Sequence, residues 1–183
     1  RSAFSTEDRN ENVIRAVPGG SVFLKNVTIQ KRGDTKNHIE GNFTGLNAAV
    51  HADGGTIEIQ DSKITSHAIG GNNVFSHGKN SYVKLKNVLV DAYGIASDRC
   101  IYVSFGGRVD AENCELISRG SISSPVATDV GGGIIRIKSC VVKALGSHCA
   151  ALYSTGQIEA DHCVCVAPET EGIIIVGSNS IAL

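Results

Sequence analysis

The 183 residues contain no methionine and no tryptophan, and only 5% are aromatic. What stands in their place, 21 glycines among many β-branched residues, reads as short strands joined by tight turns. Neither sign of charge dominates: 17 Lys and Arg face 18 Asp and Glu, for a net charge of −1. That balance argues against nucleic acid or an acidic membrane as a main partner. Apolar runs such as Ile173–Val176 are far too short to span a bilayer, so no membrane insertion is expected. The six cysteines include no CxxC pair, and His38, His51, His67, His77, His148 and His162 share no metal-ligand spacing. No metal and no cofactor is therefore expected. The chain begins with Arg1 and shows no signal peptide, and reads as a mature, processed or excised segment.

What is present is a repeat. Six stretches share the pattern apolar–x–apolar–x–polar–small–x–apolar, starting at Val22, Ile57, Val83, Val109, Ile135 and Ile158, and a seventh starts at Ile181. The starts are separated by 35, 26, 26, 26, 23 and 23 residues. Between them recurs a second stretch, as in Ala48–Ala52, Val74–Ser76, Cys100–Ser104 and Ala150–Ser154, followed by turns such as Gly54-Gly55 and Gly106-Gly107. A period of 23–26 residues with two or three short strands per turn is that of a β-solenoid. A leucine-rich repeat would need its Leu-x-x-Leu-x-Leu consensus, and a propeller blade about 40 residues. The expected fold is all-β: a single-stranded, right-handed parallel β-helix of about six to seven coils, forming one domain over residues 1–183, with residues 31–46 as an inserted, exposed surface loop.

Strand side chains alternate between faces. With the first residue of each repeat inward, Leu24, Ile59, Leu85, Ala111, Ile137 and Ala160 are inward too, as are Ile29, Ile64, Val90, Leu116, Val142 and Cys165 past the corner. Asn26, Asp61, Asn87, Asn113, Ser139 and His162 form a corner column, read as a ladder whose side chains bond the backbone and one another. Cys114, Cys140 and Cys163 share another column and are read as small buried hydrophobes, although coils about 4.8 Å apart would allow one stacked pair to oxidise. Outward columns alternate in sign, as in Glu58, Lys84, Asp110, Arg136 and Glu159, and predict ladders of exposed ion pairs instead of an acidic Ca²⁺ cage.

Few motifs carry chemistry. Ser76-His77-Gly78 and Arg136-Ile137-Lys138 resemble polygalacturonase strings, but the Asn-Thr-Asp and paired-Asp motifs that accompany them in that family are missing, and glycoside hydrolysis needs carboxylates as acid and base. No catalytic set is expected; the alternative set would be His77, Arg136 and Lys138. Arg32-Gly33-Asp34 falls in the insertion, as does Asn42-Phe43-Thr44, the better placed of two glycosylation sequons.

The phrases Tyr153-Ser-Thr-Gly-Gln-Ile158, Thr128-Asp-Val-Gly-Gly-Gly133 and Glu171-Gly-Ile-Ile-Ile-Val-Gly-Ser-Asn-Ser-Ile181, with Asn47-Ala-Ala-Val50 and Asn72-Asn-Val-Phe-Ser-His-Gly78, resemble a group of secreted bacterial β-helix proteins. These are pectate-lyase-like in fold and adhesin-like in repeat style. The resemblance implies architecture and an extracellular or cell-surface setting, and carries over no catalytic residue. Arg1–Asn12 reads as polar and irregular, offering no cap, and Ile181, Ala182 and Leu183 read as an open strand edge for self-association. The expected function is a non-enzymatic structural or adhesive protein that pairs head to tail with copies of itself into filaments; the alternative is a β-helix that binds or cleaves surface carbohydrate.

Overall fold

The computed structural model describes residues 2–177 and 180–182. In chain order its strands are β1 (Ser2–Thr6), β2 (Ile14–Ala16), β3 (Ser21–Lys25), β4 (Val27–Lys31), β5 (Val50–Asp53), β6 (Thr56–Ser66) and β7 (Val74–His77). The middle coils supply β8 (Tyr82–Ala92), β9 (Ile101–Ser104), β10 (Gly107–Glu112), β11 (Glu115–Ser118), β12 (Val126–Thr128) and β13 (Gly133–Lys138). The later ones add β14 (Val141–Ala144), β15 (Leu152–Ser154), β16 (Gln157–Asp161), β17 (Val164–Val166), β18 (Ile173–Ile175) and β19 (Ser180–Ala182). They stack in parallel as a β-solenoid of about six turns with two walls. One wall runs β1-β4-β6-β8-β10-β13-β16-β19, with β3, β11, β14 and β17 beside that path; the other runs β18-β15-β12-β9-β7-β5-β2.

The register is the one the repeat predicts. Val22 lies opposite Ile57, and Val83, Val109, Ile135, Ile158 and Ile181 follow in the same column. A slip of one residue would turn every column over, so the apolar pattern fixes the pairing. Ile57, Ile59, Ile64, Val90, Leu116, Ile135 and Val142 are fully buried in one continuous core. Each buried aliphatic side chain of this kind contributes roughly 1.5–3 kcal/mol. Val22 and Leu24 pack inward against the core but are only partly buried, and Cys165 is exposed, a correction to its inward reading. The cause is stacking: among the described residues β3 pairs with β6 alone and β17 with β14 alone. The N-terminal segment is also not irregular, because β1 pairs in parallel with β4, from Ser2 opposite Val27 to Thr6 opposite Lys31.

The corner column has a backbone cause beside the side-chain bonding that was expected. Asn26, Asp61, Asn87, Asn113, Ser139 and His162 all adopt left-handed backbone, with φ between 49° and 57°. Within the column the side-chain bond is Asn87 Nδ2 to Asp61 Oδ1 at 2.8 Å; Asn113 makes none. Asn and Asp tolerate this conformation better than other residues with a Cβ, so backbone geometry selects the column. The next position is Val27 or Val88 in two coils, and in the others the Ser62, Cys114, Cys140 and Cys163 side chains each turn back to the carbonyl two residues earlier.

The inserted stretch contains a helix, α1 (His38–Thr44), where a loop was expected. The Asn37 side chain caps it, accepting from the Ile39 and Glu40 N–H groups, and Gly45 ends it in the left-handed conformation. Gly45 has no substitute, because a Cβ there would lie 2.4 Å from the His51 ring. The helix thereby lies over the outer face of the second wall. If backbone conformation selects the corner residues, Asn113→Gly will leave stability near that of the wild type, while Asn113→Ala will lose about 1 kcal/mol. Urea unfolding of both variants tests this, and equal losses would restore the side-chain ladder.

Candidate functional site

A groove of about 570 Å³ runs along the first wall, between the outward charges of β8, β10, β13 and β16. Arg136 and Lys138 line it, with Lys84, Asp110, Glu112, Glu159 and Asp161 around them. Strand alternation puts these side chains outward, and the coil period brings them together from residues about 25 apart. The Arg136 guanidinium grips Glu159 at 2.6 and 3.2 Å, and Gln157 donates to the same carboxylate at 2.7 Å. Asp110 is held by Arg108 at 3.0 and 2.5 Å and by the Tyr82 hydroxyl at 2.8 Å. Lys84 pairs with Glu58 at 3.5 Å, Lys86 with Glu112 at 3.8 Å and Lys138 with Asp161 at 3.5 Å. The expected ladder is thus present in outline, but Asp110 draws on Arg108 of its own strand and not on Arg136.

These pairings decide what the groove can do. Arg136 beside Glu159 holds that carboxyl below the usual range. The Tyr82 phenol is pushed up to about 12 by burial and by its bond to Asp110. Glycoside hydrolysis needs a carboxylic acid that keeps its proton near neutral pH and a second, free carboxylate. Each acid lining the groove is instead engaged by a cation. A lyase base would be a free arginine, and Arg136 is committed to Glu159.

His77 does not join Arg136 and Lys138, because it ends β7 on the other wall. Its Nδ1 lies 3.0 Å from Ser104 Oγ, and Asp53 is its register partner in the preceding coil. Asp53, His77 and Ser104 therefore occupy one outward column, spaced 24 and 27 residues apart, at the coil period. Sequence spacing alone does not reveal such a row; the period of the second stretch, followed one residue further, would have. The row lacks what acyl transfer requires. Ser104 is fully buried, Asp53 is bound to Arg15 at 2.6 Å, and the N–H groups of Phe105 and Gly106 already donate to Val130 and Gly132 carbonyls. Those two N–H groups are therefore not free to hold an oxyanion.

The outer face of the second wall is apolar and covered. Phe75, Tyr102 and Ala127 are fully buried there, with Tyr153 packed against them. His51 is buried beneath Gly45, hydrogen-bonded at Nδ1 to Asn12 at 3.3 Å, and burial pushes it down to about 4, so it is neutral. Its Nε2 and the Tyr102 hydroxyl are buried without a hydrogen-bond partner. From α1, Asn42 donates to Ser97 at 2.9 Å and accepts from Asn72 and Arg99. That engagement ties up both ends of the Asn42 amide in the folded chain. The Arg-Gly-Asp tripeptide is likewise tied down, since Gly33 packs against Glu7 and Asp34 Oδ1 accepts from the Ile69 N–H at 2.8 Å.

The six cysteines are free thiols. Cys114, Cys140 and Cys163 do stack in successive coils, the Cys114 N–H lying 3.4 Å from Cys140 Sγ. Among the described residues no three His, Cys, Asp or Glu side chains gather as a metal set. Of the proposed self-association edge, Ile181 and Ala182 belong to β19, which pairs with β16; Leu183 lies outside the described residues. Compared with family models, curated proteins and solved structures, the chain matches none.

One carboxyl inside the coils is unlike those of the groove. Asp98 is fully buried, accepts from the Gly94 N–H at 2.6 Å and from Asn73 Nδ2 at 3.3 Å, and burial pushes it up to about 7. An unfolded Asp titrates near 3.9. Between these values the folded chain holds a proton that the unfolded chain has released, so stability falls as pH rises from about 4 to 7. Asp98→Asn is expected to flatten that part of the stability profile, measured by urea unfolding at several pH values. An unchanged slope would show that Asp98 is ionised in the fold.

Proposed function

We propose that this protein is a non-enzymatic β-solenoid with a structural or adhesive role, working outside the cell or at its surface. The observation that carries the non-enzymatic part is the groove, where Arg136–Glu159, Lys138–Asp161 and Arg108–Asp110 leave neither a proton-holding acid nor a free base. Exposed pairs of this kind contribute about 0–1 kcal/mol each, so they set the surface pattern more than the stability. The setting rests on the resemblance of its turn and strand phrases to those of secreted bacterial β-helix proteins. Four of the six thiols are buried, which shields them from oxidants there. Self-association extends the reading: Val164 and Val166 of β17 and Ile173 and Ile175 of β18 expose apolar side chains, 58%, 39%, 38% and 49% respectively, on strands that another copy can extend.

The groove also favours a second reading, as a carbohydrate-binding or carbohydrate-cleaving wall, because an open channel of this length follows the stacked coils. Incubation with uronate and neutral polysaccharides separates the two. Neither new reducing ends nor unsaturated products are expected. Cleavage that Arg136→Ala or His77→Ala abolishes would overturn the non-enzymatic reading. Sedimentation across a hundredfold range of concentration tests self-association, and a monomer throughout would remove that part.

A further inference from the structure

We infer that the cavity beside Arg99, on the covered outer face of the second wall, binds a small organic carboxylate that also carries a hydrogen-bond donor. The cavity measures about 260 Å³ and is lined by Arg99, Asp129, Ser124, His148, Tyr153 and Ile122, among others. At about 30 Å³ per water-sized group, it has room for roughly eight or nine non-hydrogen atoms.

Arg99 is the unusual group. Its Nη1 donates to Asn42 Oδ1 at 3.0 Å and to Asn72 Oδ1 at 3.3 Å, and its guanidinium carbon lies 4.5 Å from the centre of the Tyr102 ring. These contacts fix the fork without neutralising it. Among the described residues no carboxylate pairs with Arg99, and its Nε and Nη2 have no acceptor. The other arginines with a side-chain contact on the walls behave differently: Arg15, Arg108, Arg119 and Arg136 each grip an acid. A partly buried, immobilised guanidinium with one edge free presents two parallel N–H donors, the geometry that a carboxylate fills. Nε and Nη2 are not sealed inside the protein, so a ligand in the cavity can reach them.

Asp129 narrows the class. Its Oδ1 accepts from the Val130 N–H at 2.8 Å, which leaves Oδ2 for a ligand donor. Its charge opposes a phosphate or a dianion in so small a space. The ligand thus carries one carboxylate for Arg99 and a hydroxyl or ammonium for Asp129, with the Tyr153 ring and Ile122 against its carbon skeleton.

Calorimetric titration of the full chain with D-glycerate and L-serine tests this against propionate, glycerol and inorganic phosphate. Glycerate or serine is expected to bind at millimolar concentration or below, propionate and phosphate at least tenfold more weakly, and glycerol not at all. Arg99→Gln is expected to weaken binding at least tenfold. Asp129→Asn, which keeps the acceptor for Val130, is expected to narrow the gap between glycerate and propionate and to strengthen phosphate. No binding by the wild type, equal binding by Arg99→Gln, or phosphate and glycerol binding as well as glycerate would each overturn the inference. Circular dichroism checks that Arg99→Gln is folded; if it is not, the selectivity of Asp129→Asn decides, and an unchanged order of ligands refutes the site.

Discussion

Every feature of this molecule depends on one constraint: each coil must return the chain to hydrogen-bonding register with the coil before it. The column from Val22 to Ile181 is that register made visible. Closing a coil in so few residues demands an abrupt corner, and the left-handed backbone at Asn26, Asp61, Asn87, Asn113, Ser139 and His162 provides it in each coil. Val, Ser or Cys follows, and Ser or Cys there turns back onto the carbonyl of the residue before the corner. The cysteine column is therefore a consequence of coil geometry. Its thiols stack because the corners stack.

The same constraint explains how much was legible in the residues. Period, register, core columns and the sign alternation of the first wall all follow from spacing, because stacking makes position in the repeat equivalent to position in space. Arg136 and Lys138 were correctly placed together for that reason. His77 was grouped with them only by its neighbours Ser76 and Gly78, and the coil carries it to the other wall. The corner polarity was visible, but its backbone cause was not, since Asn serves equally as a bonding side chain and as a tolerant backbone. Burial failed at the margins: Cys165 fits the inward pattern, yet a column needs a neighbour on both sides to be closed.

The larger gap lay in the insertion. Nothing in the period says where residues 31–46 go, because they stand outside it. Folded back as α1, they bury His51 and engage Asn42, turning an outward column into an interior one. The signal was present in Val74-Phe-Ser and Ile101-Tyr-Val, where apolar residues occupy both faces of one strand. A continuous apolar run marks a strand covered on both sides. His51, in register with Phe75, takes its cover from Gly45 of that segment, and Arg99, which Asn42 holds, lies over Tyr102.

This division has a consequence for where a solenoid can hold a specific ligand. On a periodic wall each outward side chain has neighbours one coil away, and alternating signs let Lys84, Arg136 and Lys138 find acids without help. Such a surface is self-neutralising, and a ligand must displace those pairs to gain any of them. Where α1 breaks the period, Arg99 is held by amide oxygens and an aromatic ring, which orient a cation but do not cancel it. Asp129 offsets that charge from across the cavity without pairing with it, so the guanidinium keeps donors for a ligand. The irregular part of the chain, and not the repeat, therefore creates a fixed arginine on the second wall with an edge left open.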